Sequence, residues 1–275
     1  MGIINCDTEF IGKKYIWLEE TDSTNSMLRR LLDDGVTIEH KTESGMLIEG
    51  RPIEGTIIVA DRQTAGRGRS GHNWESPAGT SIAMSVLLRP AVDDNSIPII
   101  TLIAALAVSH AIKEVCSLDT KIKWPNDIIV NNRKVCGILT ELDISNGNKS
   151  LILGVGINVN QEAFPEEISQ VATSLRMETG SQVDRELVVD RFAEALEKYY
   201  KLFLQTGDMS LLRDQYENLL INIDKEVKVL DPSENLTGTA RGIDELGQLI
   251  VETEDGELHS IYAGEVSVRG LYGYV

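Results

Sequence analysis

Residues 121–158 read KIKWPNDIIVNNRKVCGILTELDISNGNKSLILGVGIN. Within this stretch Lys121 to Trp124, Asp127 to Val130, Val135 to Leu142 and Leu151 to Ile157 are rich in β-branched and aliphatic residues and are of strand length. The links between them are a few residues long, whereas a parallel crossover takes about a dozen or more. The stretch therefore predicts antiparallel hairpins. Upstream, the run from Gly55 to Ala60 and the run from Ser81 to Leu88 predict two further buried strands. A helix is expected to start at an Asp22-Ser23 cap, to turn Met27, Leu28, Leu31 and Leu32 inward, and to stop at Gly35. Ile97 to Ile112 reads as a buried core helix, because Pro98, Thr101, Ser109 and His110 interrupt it and it is too short for a bilayer. From Arg185 to Leu204 the positions Val188, Phe192, Ala195, Tyr199 and Leu202 recur at helical intervals, with Gly207 as a stop. The expected class is α+β, with a mixed, largely antiparallel sheet and helices packed on it.

The last fifty or so residues change character. Val227 to Leu230, Leu236 to Ile243, Leu249 to Thr253, Leu258 to Tyr262 and Val266 to Arg269 read as short strands separated by Asp, Pro, Ser and Gly turns. Short strands joined by tight turns predict a small β-barrel. The boundary is set near Asn222, giving a first domain over 1–222 and a second over 223–275.

The 275 residues carry a formal net charge of −17, and 42% of them are hydrophobic. Such a chain is expected to be globular, and its negative field opposes general binding to DNA or RNA. The three cysteines, Cys6, Cys116 and Cys136, form no CxxC pair, so a reducing cytoplasm is the expected compartment. The four histidines are far apart and give no metal-ligand spacing, so no protein-built metal site is expected. No basic segment followed by an apolar run opens the chain, so neither a secretory signal nor a membrane span is expected.

Four motifs carry chemistry. Residues 63–74, QTAGRGRSGHNW, alternate glycine with arginine after a strand. Glycine permits close backbone approach, and the planar guanidinium suits carboxylate and phosphate. The loop therefore fits an anionic, phosphate-bearing small molecule, and on composition alone a solvated loop or an RNA contact equally well. Lys123 to Asp127, KWPND, forms a turn between strands, and Lys134 begins the next strand where its ammonium can point back over that turn. Asn126 and Asp127 could equally serve only their own backbone. Gly154 and Gly156, two apart on one strand face, leave room for a flat ligand or mark a bulge. The polar run from Glu20 to Asn25 exceeds what helix capping requires.

In this order and spacing, DSTN, QTAGRGRSGHNW, KWPND, RKVCGIL and GVGINVN resemble the biotin–protein ligase family over about residues 15–270. The resemblance implies a class II synthetase-like catalytic domain, an SH3-like C-terminal barrel, and ATP-dependent transfer of biotin to a lysine of a biotin carboxyl carrier protein. It implies biotin contacts at Ser23, Thr24, Asn25, Gln63, Arg67, Gly68, Arg69, Lys134, Gly137 and Gly156. It implies ATP or adenylate contacts at Arg67, Arg69, Trp74, Asn126, Lys134 and Asn158, with Mg2+ on the triphosphate. Arg69 and Lys134 are the expected catalytic cations, and Asp127 a group that orients or deprotonates the acceptor lysine. His72 departs from the family's usual loop arginine. A homodimer formed by sheet edges is compatible with the family. Repressor members carry an N-terminal DNA-binding domain, and only about twenty residues precede DSTN here, so DNA binding is not expected. The rival readings are a lipoate–protein ligase, a DNA-binding repressor, and a nucleotide-binding protein without activity.

Overall fold

The computed structural model describes residues 6–33, 52–71, 73–75, 77–145, 148–230, 235–262 and 267–270. The helix stop expected at Gly35, the loop residue His72 and the turn Asp231-Pro232-Ser233 lie outside the described residues.

Seven strands form one sheet: β1 (Tyr15–Thr21), β2 (Ile57–Gln63), β3 (Ser81–Leu88), β4 (Lys121–Lys123), β5 (Asp127–Val130), β6 (Arg133–Ser145) and β7 (Asn148–Asn158). Their spatial order is β1-β2-β3-β7-β6-β5-β4. β1 and β2 run parallel, and every other neighbouring pair is antiparallel. The sheet is thus mixed and largely antiparallel, as expected. β1 is an addition, and β6 and β7 form a longer hairpin than the aliphatic runs suggested.

Successive residues of a strand point to opposite faces, and here each face meets different helices. Met84 and Val86 of β3 and Leu153, Val155 and Ile157 of β7 share the large apolar core with α2 (Ile99–Cys116) and α4 (Arg185–Thr206). On the opposite face Ile58, Ala60, Leu87 and Ile152 pack against Leu28 and Leu31 of α1 (Thr24–Asp33). By length and composition the helical stretch Asp94–Cys116 could cross a membrane. In the fold it is a core helix, with α2 buried from Ile99 to Ile112 except at Thr101 and His110, beside α4. Gly207 stops α4 as expected: it takes a left-handed φ of 75° and donates its N–H to the Phe203 carbonyl at 2.7 Å. Two short helices, α3 (Leu175–Thr179) and α5 (Arg213–Leu219), flank α4 in the chain.

The C-terminal strands β8 (Glu226–Leu230), β9 (Asn235–Ile243), β10 (Leu249–Glu252), β11 (Leu258–Ile261) and β12 (Ser267–Gly270) form a second, antiparallel sheet. Its order is β11-β10-β9-β8-β12. Val227, Ala240, Leu249 and Val251 belong to the same apolar cluster as α2, so the core is continuous between the two sheets. Trp124 links them directly. Its backbone N–H donates to Asn222 Oδ1 at 2.9 Å and its indole N–H to the Gly247 carbonyl at 3.0 Å.

Candidate functional site

Strand register builds the site. On the α1 face, Ala83 of β3 lies opposite Gly156 of β7, Gly156 opposite Gly137 of β6, and Gly137 opposite Asp127 of β5. Directly paired residues share a face, so this row is a flat shelf of small residues ending in a carboxylate. The next row in register on that face is Ser85, Gly154 and Leu139, two residues or roughly 7 Å further along the strands. A solvent-open cleft lies over both rows.

The sequence-predicted residues converge there. Ser23, Thr24, Asn25, Gln63, Arg67, Gly68, Arg69, Trp74, Asn126, Lys134, Gly137 and Gly156 all line the cleft. Over the Ser85 row the groups are hydroxyls and amides, with the Arg67–Glu141 ion pair beside Asn25. Gln63 Oε1 accepts from the Thr24 N–H at 2.9 Å, and the Ser85 hydroxyl reaches both Thr24 Oγ1 and Asn25 Oδ1. The Asn25 amide occupies the space that a side chain at Gly154 would need, since a Cβ there would lie 2.5 Å from Asn25 Oδ1.

Over the Gly137 row the groups are cationic. The KWPND turn and the start of β6 bring Lys134 Nζ to 2.6 Å from Asp127 Oδ1 and 5.7 Å from the centre of the Trp74 ring. Arg69 donates to Asn126 Oδ1 at 3.0 Å, and Asn126 Nδ2 donates to the Ile138 carbonyl at 3.1 Å. Burial pushes the Arg69 guanidinium pKa down from its ordinary value, while the Asp127 carboxylate pulls it up. A guanidinium stays protonated through such a shift, so Arg69 is a partly desolvated cation poised beside an open cleft.

The glycine-arginine loop hangs from a narrow neck. The Trp74 N–H bonds the Gly66 carbonyl at 3.0 Å, and Arg67 bridges to Asn73. Only glycine fits at position 66, where a Cβ would stand 2.3 Å from the Trp74 carbonyl oxygen. Beyond the neck, Trp74 lies on the shelf, its indole so close to Gly156 that a Cβ there would fall 2.4 Å from Cε2. Among the described residues the buried Trp74 Nε1–H has no hydrogen-bond partner, which is costly unless something entering the cleft accepts from it.

Two expected contacts stand elsewhere. Asn158 is buried outside the cleft, because its Nδ2 donates to the Thr173 carbonyl at 3.1 Å and its Oδ1 accepts from Gln161 at 3.2 Å. Its position at the end of β7 turns the amide into the neighbouring segment and away from the ligand space. Asp127 does not line the cleft itself and reaches it through Lys134. The sequence reading missed Ser85 and Glu141. Glu141 Oε2 accepts from Asn25 Nδ2 at 2.6 Å and from Arg67 at 3.1 Å, tying the loop to the floor of the cleft. A polar residue interrupting an aliphatic strand was the available signal for both.

A mixed sheet with paired cations over a glycine shelf fits the class defined by the Biotin/lipoate A/B protein ligase family, whose model matches residues 38–158. The Biotin protein ligase C terminal domain matches residues 223–269. The chain belongs to the biotin protein ligase family. The bifunctional ligase/repressor BirA of Bacillus spizizenii is 36% identical over 86% of this chain and 73% of its own length. A biotin–[acetyl-CoA-carboxylase] ligase of Mycobacterium tuberculosis is 32% identical over 79% of this chain and 80% of its own. Among solved structures, the biotin protein ligase from Aquifex aeolicus in complex with biotin and ATP is similar with a TM-score of 0.79 and 35% identity. It covers 94% of this chain and 99% of that one.

Proposed function

We propose that this cleft joins biotin to ATP as biotinyl-adenylate and then delivers biotin to a lysine of a biotin carboxyl carrier protein. The carrying observation is the polarity of the cleft. A hydroxyl-and-amide end (Thr24, Asn25 and Gln63, with Ser85 bonded beneath them) and a cationic end (Arg69, Lys134) are joined by a shelf of small residues. Biotin has the same order, with a neutral ureido head, a flat bicyclic body and a carboxylate tail. Attack of that carboxylate on the α-phosphate of ATP brings two anions together and loads more charge on the phosphoryl oxygens. Cations fixed at that point lower the barrier. Magnesium is assigned to the triphosphate as its counter-ion. Among the described residues no cluster of three or more His, Cys, Asp or Glu side chains is arranged to hold a metal ion.

The pairing of Lys134 with Asp127 supports an order of events. While Lys134 holds Asp127, that carboxylate is occupied. When the adenylate phosphate draws Lys134 away, the Asp127 carboxylate takes a proton from the carrier lysine as its amine attacks the acyl carbon and AMP departs. The C-terminal unit, taken as a domain from residue 223 onward, is assigned to receiving the carrier. The strong negative charge supports a ligase without DNA binding, and three cysteines with no CxxC pair support action in the cytoplasm. The test is ATP–pyrophosphate exchange. Exchange is expected with biotin, and exchange with lipoate or octanoate alone would transfer the assignment to the other branch of the family.

A further inference from the structure

The cation Lys134 stands on a hairpin whose turn takes an uncommon backbone. Val130 pairs with Arg133 across a two-residue loop, Asn131-Asn132, in which both residues have positive φ (48° and 62°). Such a type I′ turn gives tight hairpins, and asparagine tolerates the left-handed region better than most residues. The backbone of Lys134 does not depend on that hairpin alone. Its N–H donates to the Val171 carbonyl at 2.7 Å, and its carbonyl accepts from the Thr173 N–H at 2.9 Å. Residues 171–173 thus form an isolated parallel bridge that holds Lys134 from the side away from β5.

Glu178 of α3 fastens both supports. Its side chain is only 4% exposed. Oε1 accepts from Arg133 at 2.6 Å and from the Thr173 hydroxyl, and Oε2 accepts from Asn131 Nδ2 at 2.6 Å. One buried carboxylate therefore grips the turn, the residue next to Lys134, and the segment bridged to Lys134. Asn158 reinforces the same segment through the Thr173 carbonyl. We infer that Glu178 is a positioning residue for the adenylation step, fixing the Lys134 ammonium over the cleft from outside it. The inference rests on the catalytic reading of Lys134 given above.

Replacing the carboxylate by its isosteric amide tests this. Glu178→Gln keeps the volume but turns an NH2 group toward donors. If Lys134 is loosened, adenylate formation should slow about tenfold in kcat while the biotin Kd stays within about twofold, since misplacement falls on the transition state. The decisive measurement is a double-mutant cycle with Lys134→Ala. With the ammonium gone, Glu178→Gln should cost less than about a further twofold, because residues acting as one unit are not additive. An additive second loss, an unchanged kcat in the single variant, or a weakened Kd at constant kcat would each overturn the inference while leaving the catalytic reading of Lys134 intact. A Lys134→Ala variant with full activity would remove both. Should Glu178→Gln fail to fold, Thr173→Val removes only the hydroxyl arm. It should then give about a threefold loss in kcat, again absent in the Lys134→Ala background; an additive loss there counts against the inference equally.

Discussion

Gly156→Ala puts the shelf to a direct test. The added Cβ would lie 2.4 Å from Trp74 Cε2, 2.5 Å from Nε1 and 2.8 Å from Cζ2. Carbon atoms rest at about 3.5–4.0 Å, so the indole must retreat by roughly 1 Å or more. The backbone cannot yield instead, because Gly156 is paired on one side with Ala83 and on the other with Gly137. Trp74 sits on a loop and is half-buried, so it can leave without tearing the core. Replacing glycine in an extended strand also gains about 0.4–1 kcal/mol through the unfolded chain, and overall stability should change by no more than about 1 kcal/mol. A ligand that takes the indole's place on the shelf meets the same methyl group and, held at both ends, has no such escape. Overpacking of about 1–3 kcal/mol corresponds to a roughly five- to 150-fold weaker biotin Kd. Calorimetric titration reads that number. Tryptophan emission reads the displacement separately, because Trp17 and Trp124, at 8% and 1% exposure, are core residues and a shift belongs to Trp74. Unchanged biotin affinity would refute the shelf as the ligand platform, and an unmoved emission would refute the contact that the indole makes with it.

Three further outcomes are expected. Lys134→Ala should lower the rate of adenylation by about 10²–10³ with biotin affinity largely kept, and retention of activity within about threefold would make Lys134 an ordinary surface lysine. Arg69→Gly removes the guanidinium bonded to Asn126 and loosens the loop, so biotinyl-adenylate should escape roughly ten- to a hundredfold faster. Blotting a carrier-free reaction for biotinylated albumin checks this, and an unlabelled bystander in a reaction that still makes adenylate would deny Arg69 the retaining role. For Glu197, burial raises the carboxyl pKa, but the N–H groups of Glu9, Phe10 and Ile11 with Lys201 outweigh it and hold it below the usual 4.5. Its stabilisation is therefore complete above that value and lost as the pH falls through the lower folded one. The Tm gap between wild type and Glu197→Gln should be fully open at about pH 7 and narrow steadily as the pH is taken below 4.5, and a gap independent of pH would show that the charge does not anchor the N-terminal segment.

What could be read from the chain follows from how local each signal is. Aliphatic runs in β3, β5 and the centres of β6 and β7 mark buried strands, because one face of each enters the large apolar core. β1 escaped since its last three residues, Glu19-Glu20-Thr21, break the apolar run and turn from the core, and its pairing with β2 is parallel across a long insertion. The outer parts of β6 and β7 were hidden for a similar reason. Asp143 ends the aliphatic pattern there, yet it answers Arg29 of α1 at 3.3 Å. Such a pairing depends on residues more than a hundred positions apart and leaves no periodic trace.

The site divides along the same line. Lys134 could be aimed at Asp127 from the sequence because seven positions and one hairpin separate them, and the structure joins them at 2.6 Å. Two glycines spaced by two predicted an open strand face, but the fold uses them differently: Asn25 fills the space above Gly154 and Trp74 covers Gly156. Asn158, two positions beyond Gly156 in the same motif, has a side chain long enough to bond Thr173, and it turns outward to do so. The face of a residue is therefore a property of the strand, whereas its role depends on what the rest of the chain lays over that face. Here that covering comes from the helix start at Asn25, the loop at Trp74 and the segment at Thr173, three pieces of chain remote from β7 in sequence. A motif can thus name the floor of a site correctly and still leave open which of its residues touch the ligand.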